Sequence, residues 1–150
     1  MTAFPHPILV VEDNADDFFF LERAFKLAEV PNELRHADDG QRALDYLQGA
    51  GLFTDRAANP LPSLILLDLK LPLMHGFEVL GWIRKQPALK HIVVIVLTSS
   101  SEVRDVERAY ELGANAFLVK PTSVDKLIEI VRSLETFWLR HNKFGSLPNA

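Results

Sequence analysis

Five short apolar runs alternate with segments of helical periodicity, and this alternation restricts the possible fold more than any other feature of the chain. The runs are Ile8–Val11, a weaker Glu33–Ala37, Leu64–Leu67, Ile92–Leu97 and Ala116–Val119. The first, third and fourth are rich in Ile, Val and Leu, as strands covered on both faces should be. The pattern therefore predicts an α/β fold, a doubly wound parallel sheet with right-handed crossovers and helices on both faces.

Helix-start signals support five helices in the intervening segments. Asn14 fits the N-cap of the first helix. Ser99 with Glu102 fits a capping box that opens the fourth helix, and Thr122 with Asp125 fits a looser box that opens the last. The remaining bounds are Gln41–Leu47 for the second helix, Phe77–Lys85 for the third, Glu102–Leu112 for the fourth and Val124–Leu139 for the fifth.

The length of 150 residues is that of one ordinary domain. We expect a single domain over residues 1–150, with its core at about residues 8–139 and a frayed tail from about Lys143.

The connection Gln48–Ser63 is longer than the few residues usual in such folds. Two interpretations of it remain open: a tolerated surface insertion and a docking segment for a partner.

Composition excludes several classes of function. The net charge of −4 argues against general affinity for nucleic acid or an anionic membrane. With no cysteine, the chain has no disulfide framework, thiol nucleophile or thiolate metal site. The start lacks a basic region ahead of its apolar run, and no segment approaches the length of a membrane span. We expect a cytoplasmic protein.

Unexpected polar residues stand where the predicted strands end. Glu12 and Asp13 follow the first strand, Asp68 the third, Thr98 the fourth and Lys120 the fifth. In open parallel sheets, binding sites gather outside the carboxyl ends of the strands, so we expect these side chains to lie together. Converging carboxylates repel one another, and a magnesium ion, which prefers a few carboxylate oxygens with water and phosphate, would remove that repulsion.

This set of groups is suited to phosphoryl transfer. The carboxylate of Asp68 can attack phosphorus and form an acyl phosphate. The metal and Lys120 would neutralise charge on the phosphoryl oxygens, while Thr98 donates a hydrogen bond to one of them. The sequence therefore predicts that Asp68 accepts a phosphoryl group.

With these residues the chain resembles the receiver domains of response regulators in two-component signalling. The matching elements are the pair Glu12-Asp13, the pattern Asp68-x3-Pro72-x3-Gly76, the hydroxyl of Thr98 and the dipeptide Lys120-Pro121. The resemblance covers roughly residues 8–139. It implies a flavodoxin-like receiver fold with strand order 2-1-3-4-5, and a histidine kinase whose phosphohistidine is the donor.

The resemblance also implies ligands for the metal. Magnesium would be bound by Asp13, Asp68 and the backbone carbonyl of Lys70, with Glu12 acting through water.

It further implies a cis Lys120–Pro121 bond and a switch aromatic at Phe117. Because Phe lacks the hydroxyl that Tyr would have, any readout at Phe117 would rest on the burial of the ring alone.

The long second connection and the segment Phe137–Leu139 resemble those of small stand-alone receivers paired with bacterial phytochrome-type kinases.

On the last helix, a core-facing stripe is predicted from Leu127, Val131, Leu134 and Trp138. Ile130 and Phe137 fall off that stripe, towards solvent. We therefore expect a homodimer through the last helix. The resemblance implies that the fourth helix and fifth strand complete the contact, because receivers similar to this one commonly use that face.

Two alternatives to a signalling switch remain. A phosphatase of the haloacid-dehalogenase type also uses an aspartate at a strand tip, but it has a second acid two residues later, where this chain has Lys70. We therefore expect self-catalysed phosphorylation with slow loss of phosphate, and no metabolic enzyme. A degenerate receiver that serves only as a scaffold is the second alternative. A nucleotide-binding site is excluded because no glycine-rich loop follows the first strand.

Overall fold

The computed structural model describes residues 6–145. Within them, one parallel sheet has the order β2-β1-β3-β4-β5, which confirms the predicted α/β receiver fold. The strands are β1 (Ile8–Val11), β2 (Leu34–Ala37), β3 (Leu64–Leu67), β4 (Val93–Thr98) and β5 (Ala116–Val119). The helices are α1 (Ala15–Leu27), α2 (Gly40–Gln48), α3 (Gly76–Lys85), α4 (Val103–Glu111) and α5 (Val124–Leu134).

The three central strands are buried along their whole length, as their apolar sequences predict. Side chains alternate between two apolar clusters because successive residues of a strand point to opposite faces. Leu9 and Ile65 belong to the cluster beneath α2 and α3, whereas Ile8 and Leu64 belong to the cluster beneath α1 and α5. The edge strands β2 and β5 are only partly covered, which explains their weaker apolar signal.

The strand register determines where the polar residues go. Val11 pairs with Ala37 on one side and with Leu67 on the other, and Leu67 pairs with Val96. The strands thus reach their carboxyl ends at one edge of the sheet. The residues that follow β1, β3 and β5, and the last residue of β4, meet at this edge.

The predicted cap of α1 is confirmed, the start of α4 is wrong by one residue, and α5 starts at Val124 as predicted but with a different cap. Asn14 caps α1 by accepting a hydrogen bond from the Asp17 amide at 2.9 Å. At the start of α4 the Glu102 amide donates to the hydroxyl of Ser100, not to that of Ser99 as predicted. At the start of α5 the capping hydroxyl is that of Ser123, not that of Thr122. Neighbouring hydroxyl residues offer similar capping chemistry, so backbone geometry decides which one serves.

The last helix differs from the prediction in its winding. The α-helix ends at Leu134, and the π-helix Glu135–His141 continues it, with the Asn142 amide donating to the Phe137 carbonyl. The predicted core stripe is confirmed, since Val131 and Leu134 are buried and Leu127 and Trp138 pack against the same cluster.

The predicted exposure of two residues on this helix has a mixed outcome. Phe137 is 56% exposed, as predicted, because it lies away from the core stripe. Ile130 is not fully solvent-facing: it is half-buried and packs against the core cluster beneath α1 and α5. The predicted stripe was too narrow, because α5 uses a wider apolar face.

The long connection between α2 and β3 is packed against the end of α2. Arg56 donates to the carbonyls of Tyr46 and Leu47 at 2.6 and 2.5 Å, and to that of Asn59 at 3.1 Å. These bonds satisfy carbonyls that a helix end leaves without partners. Arg56 therefore holds the connection against the end of α2, together with the Tyr46 hydroxyl, which donates to the Pro60 carbonyl at 2.7 Å.

The predicted frayed tail lies partly outside the described residues, which end at residue 145. Over the part of the chain that is described, no helix combines the length and apolar character needed to cross a membrane.

Candidate functional site

Asp68 directly follows β3 and is only 7% exposed. One carboxylate oxygen, Oδ1, accepts the amide hydrogen of Leu69 at 2.7 Å. The other, Oδ2, accepts from the ammonium of Lys120 at 3.0 Å. A buried carboxylate is costly unless it is paired and hydrogen-bonded, and these two contacts meet that requirement.

Lys120 is the centre of the site. Its Nζ lies 2.5 Å from Glu12 Oε1, 2.9 Å from Asp17 Oδ2 and 3.0 Å from Asp68 Oδ2. Burial alone would lower the pKa of Lys120, but hydrogen bonds to the three carboxylates outweigh it and raise that pKa. The ammonium thus remains charged and offsets the repulsion among the acids.

Sequence reasoning did not assign Asp17 to the site. It was assigned only to the first turn of α1, where acidic residues are common because they favour the helix dipole. The two residues in contact, Asp17 and Lys120, are separated by 103 positions in the chain. No local pattern signals such a pair.

Glu12 is the most perturbed acid of the site. Its pKa is raised to about 7, chiefly by burial and also by the charge of Asp68, although the hydrogen bond and charge of Lys120 lower it. The Lys120 ammonium therefore limits how far burial raises the pKa of Glu12.

The predicted acidic trio does converge. Carboxylate oxygens of Glu12, Asp13 and Asp68 all lie within 4.8 Å of one another. Glu12 and Asp68 are buried whereas Asp13 is exposed, so the group opens to solvent on one side. Hard oxygen donors with room for water and phosphate fit magnesium-like cations. The donor set is therefore suited to a divalent cation of this kind.

Thr98 contributes a hydroxyl with no partner. The residue is completely buried, and among the described residues its Oγ1 has no hydrogen bond. Its backbone carbonyl accepts from the amide of Lys120 at 2.7 Å, which ties the ends of β4 and β5 together. Because a buried, unpaired hydroxyl costs free energy, its presence here favours a role in binding an anionic oxygen.

The loop between Asp68 and α3 explains why the motif has a glycine at position 76. The Gly76 amide donates to the Leu69 carbonyl at 2.8 Å, which folds the loop back against the start of α3. A Cβ on Gly76 would overlap the carbonyl oxygen of Asp68 and would lie 2.7 Å from the Leu69 Cα. Only glycine permits this approach, so Gly76 fixes the backbone that carries Asp68.

We expect Gly76→Ala to lower the free energy of unfolding by about 2–3 kcal/mol, because two backbone segments must move apart. Gly81→Ala is the control: its added Cβ would meet only Leu112 Cδ2 at 3.9 Å, and Ala in a helix is about 0.5–1 kcal/mol better than Gly. Urea unfolding of both variants checks this. Equal stability of Gly76→Ala and the parent would contradict the assignment of the close approach.

Two expectations from the resemblance fare differently. The Lys120–Pro121 bond is trans, since no peptide bond of the described residues is cis, so the cis expectation is wrong. Trans is the form that X–Pro bonds generally prefer. Phe117 lies where expected, on β5, half-buried against the apolar cluster beneath α2 and α3.

Comparison with known proteins agrees with this geometry. The family model for the response regulator receiver domain matches residues 8–132. The chain belongs to the response regulator receiver family. Response regulator Rcp1 of Synechocystis sp. is 40% identical over 135 residues, which is 90% of each chain.

Solved structures of receivers overlay closely on this one. The Mn²⁺-bound form of Rcp1 gives a TM-score of 0.84 at 38% identity, over 95% of this chain and 100% of that one. The phosphorylated cyanobacterial phytochrome response regulator RcpA gives 0.87 at 36%, over 95% and 99%. RPA3017, described in red light signalling of R. palustris, gives 0.90 at 36%, over 95% and 99%. The chain is thus a receiver with a phosphoacceptor signalling role, similar to phytochrome response regulators.

Proposed function

We propose that this receiver takes a phosphoryl group onto Asp68 from a histidine kinase, in the presence of Mg²⁺, and changes conformation in response. The observation that carries the proposal is the buried Asp68 carboxylate held by Lys120, beside an unpaired buried hydroxyl on Thr98. A carboxylate in this position is oriented for attack while its charge is balanced.

Three residues have separate roles in the proposed transfer of the phosphoryl group. An oxygen of Asp68 forms a bond to phosphorus as the bond from phosphorus to the donor imidazole breaks, and the electron pair stays on the imidazole nitrogen. Lys120 balances charge on the transferred group, and Thr98 donates to one of its oxygens.

The proposed ligands of Mg²⁺ are Asp13, Asp68 and the Lys70 carbonyl, with Glu12 acting through water. When bound, the cation would neutralise negative charge on the phosphoryl oxygens. Because Asp13 is exposed, an arriving cation would contact it before the buried Asp68.

The output is proposed to pass through Lys120 and Phe117. On phosphorylation the ammonium gains a phosphoryl oxygen as a partner and its contacts with the carboxylates change. Because Lys120 follows β5 directly, its movement is transmitted to the strand that carries Phe117, where a change of ring burial would be the readout.

Incubation with acetyl phosphate and Mg²⁺, followed by intact mass measurement, tests the function. A stoichiometric and slowly decaying phosphate adduct is expected. Continuous release of phosphate with rapid turnover would indicate a hydrolase instead, and no adduct at all would indicate a scaffold.

A phytochrome-type histidine kinase is the proposed donor. Its support is the similarity to RcpA, described as a phytochrome response regulator, and to RPA3017, described in red light signalling. Radiolabelled phosphate should pass faster from a phytochrome-type kinase than from a kinase of unrelated sensory input. Equal rates from both would contradict the pairing.

A homodimer through the last helix is also proposed. An open groove of about 470 Å³ lies between β5, α5 and the π-helix, with apolar walls that include Leu118, Ile130 and Phe137. The groove and the exposed Phe137 lie on one face, so a symmetric contact would seat the Phe137 of each chain against the groove of the other.

We expect Phe137→Lys to give a folded monomer that still accepts phosphate, since a charge in an apolar contact is not compensated. Phe137 is preferable to Ile130 as the site of change because Ile130 also packs in the core. Phe19→Lys is the control: Phe19 is 54% exposed, similar to Phe137, but lies on α1. Light scattering over micromolar concentrations measures the mass. A monomeric parent, or a Phe137→Lys protein that stays dimeric, would refute the contact.

The phosphoryl group should last for minutes or longer. Lys70 is exposed two residues after Asp68, and from there its long side chain would crowd the approach of water. The hydroxyl of Ser100 is held by Asp105 at 2.5 Å, so it is not free to orient an attacking water. Lys70→Ala should shorten the half-life several-fold, and Lys85→Ala, a control on α3, should not. The decay is timed after removal of the donor, and a parent half-life of seconds would contradict the proposal.

A further inference from the structure

An exposed histidine on the edge strand contacts the backbone of the acidic pair. His36 lies on β2, and its Nε2 is 2.7 Å from the carbonyl oxygen of Glu12. Since a carbonyl only accepts, Nε2 carries the hydrogen and donates it. This is a short hydrogen bond to the peptide unit that joins the two proposed metal-binding acids, Glu12 and Asp13.

The bond gives the Glu12 carbonyl a donor where the sheet no longer supplies a backbone amide. The Glu12 amide still donates to the Ala37 carbonyl at 3.0 Å, but β2 ends at Ala37. With the strand ended, the imidazole of His36 donates to the Glu12 carbonyl from the side. A backbone carbonyl at a strand end is otherwise left to water.

The ring is fixed in this position by an aromatic partner. Phe18 of α1 stacks on His36 with 3.8 Å between ring centroids and 5° between planes. A stacked ring has little freedom to rotate, so its Nε2–H keeps one direction. Phe18, His36 and the Glu12 carbonyl thus form a chain of contacts that links α1, β2 and the end of β1.

We propose that His36 is a positioning residue for the cation site: its hydrogen bond fixes the Glu12–Asp13 peptide and so the direction in which both carboxylates face the ion. This rests on the proposed Mg²⁺ site at Glu12, Asp13 and Asp68. Groups that orient metal ligands commonly change metal affinity by about tenfold or more when removed. Because His36 itself is exposed and outside the core clusters, its loss should weaken the site without unfolding the protein.

The test is a titration of the metal-free full chain with Mg²⁺, followed by the amide NMR signals of Asp13 and Leu69, which needs no phosphorylation. We expect His36→Ala to raise the dissociation constant for Mg²⁺ by about tenfold. His36→Gln, whose amide nitrogen occupies a place like that of Nε2, should recover most of the affinity. Phe18→Leu, which keeps the donor but removes the stack, should give an intermediate value.

His91→Ala is the matched control, because His91 is an exposed histidine in the connection between α3 and β4, at the opposite edge of the sheet. Unchanged Mg²⁺ affinity in His36→Ala would overturn the proposal, as would an equal loss in His36→Ala and His36→Gln. If the parent binds Mg²⁺ as expected but forms no phosphate adduct, the proposed function fails while the role of His36 stands.

Discussion

Lys120→Ala should lower the free energy of unfolding of the metal-free protein by about 3–5 kcal/mol, the largest loss expected of any single substitution at the site. The reason is that Glu12 and Asp68 are nearly buried, and Lys120 is the cation that both of them contact. Removing it leaves two carboxylates without compensation. Urea unfolding with and without Mg²⁺ measures the effect, and Mg²⁺ should restore much of the loss.

The same variant tests the output of the switch. Lys120→Ala should still accept phosphate on Asp68 in Mg²⁺, more slowly, but its amide spectrum should change only near the site on phosphorylation. Lys126→Ala, an exposed lysine on α5, is the control and should behave as the parent. Shifts in Lys120→Ala as widespread as those of the parent would exclude Lys120 as the link to β5.

Asp68→Asn should abolish phosphorylation and raise the stability of the metal-free protein by about 1 kcal/mol, since one of several mutually repelling charges is removed. The amide oxygen of Asn can still accept from the Leu69 amide, and Lys120 keeps its contacts with Glu12 and Asp17. The fold should therefore be intact.

Thermal unfolding with and without Mg²⁺ checks the stability part of this prediction. The ion should stabilise Asp68→Asn less than the parent, because a ligand has been neutralised. Asp16→Asn, an exposed acid in the first turn of α1, is the control and should leave both quantities unchanged. A metal-free Asp68→Asn protein less stable than the parent would show that the Lys120 contact outweighs the repulsion.

The architecture could be predicted because its causes are local. The apolar runs Ile8–Val11 and Leu64–Leu67 have the bounds that the structure gives them, since a strand buried on both faces must be apolar throughout. Once five such strands alternate with helices, their carboxyl ends meet at one edge. The convergence of Glu12, Asp13 and Asp68 follows from that arrangement.

Several features that could not be predicted from the sequence depend on contacts between segments far apart in the chain. The pairing of Lys120 with Asp17 and the stacking of Phe18 on His36 need the helix and strands to be in place first. The π-winding after Leu134 has no residue signature comparable to a proline or glycine. The capping hydroxyls of α4 and α5 were missed by one residue because adjacent hydroxyl residues compete for the same role.

The most direct test of the central claim is to locate the phosphoryl group. The protein is phosphorylated with acetyl phosphate in Mg²⁺, reduced with borohydride, which converts an aspartyl phosphate to homoserine, and digested for peptide mass spectrometry. We predict homoserine at position 68 in the parent and none in Asp68→Asn. Homoserine at position 13 or 17 with Asp68 unmodified, or an equal yield of adduct from Asp68→Asn, would contradict the assignment.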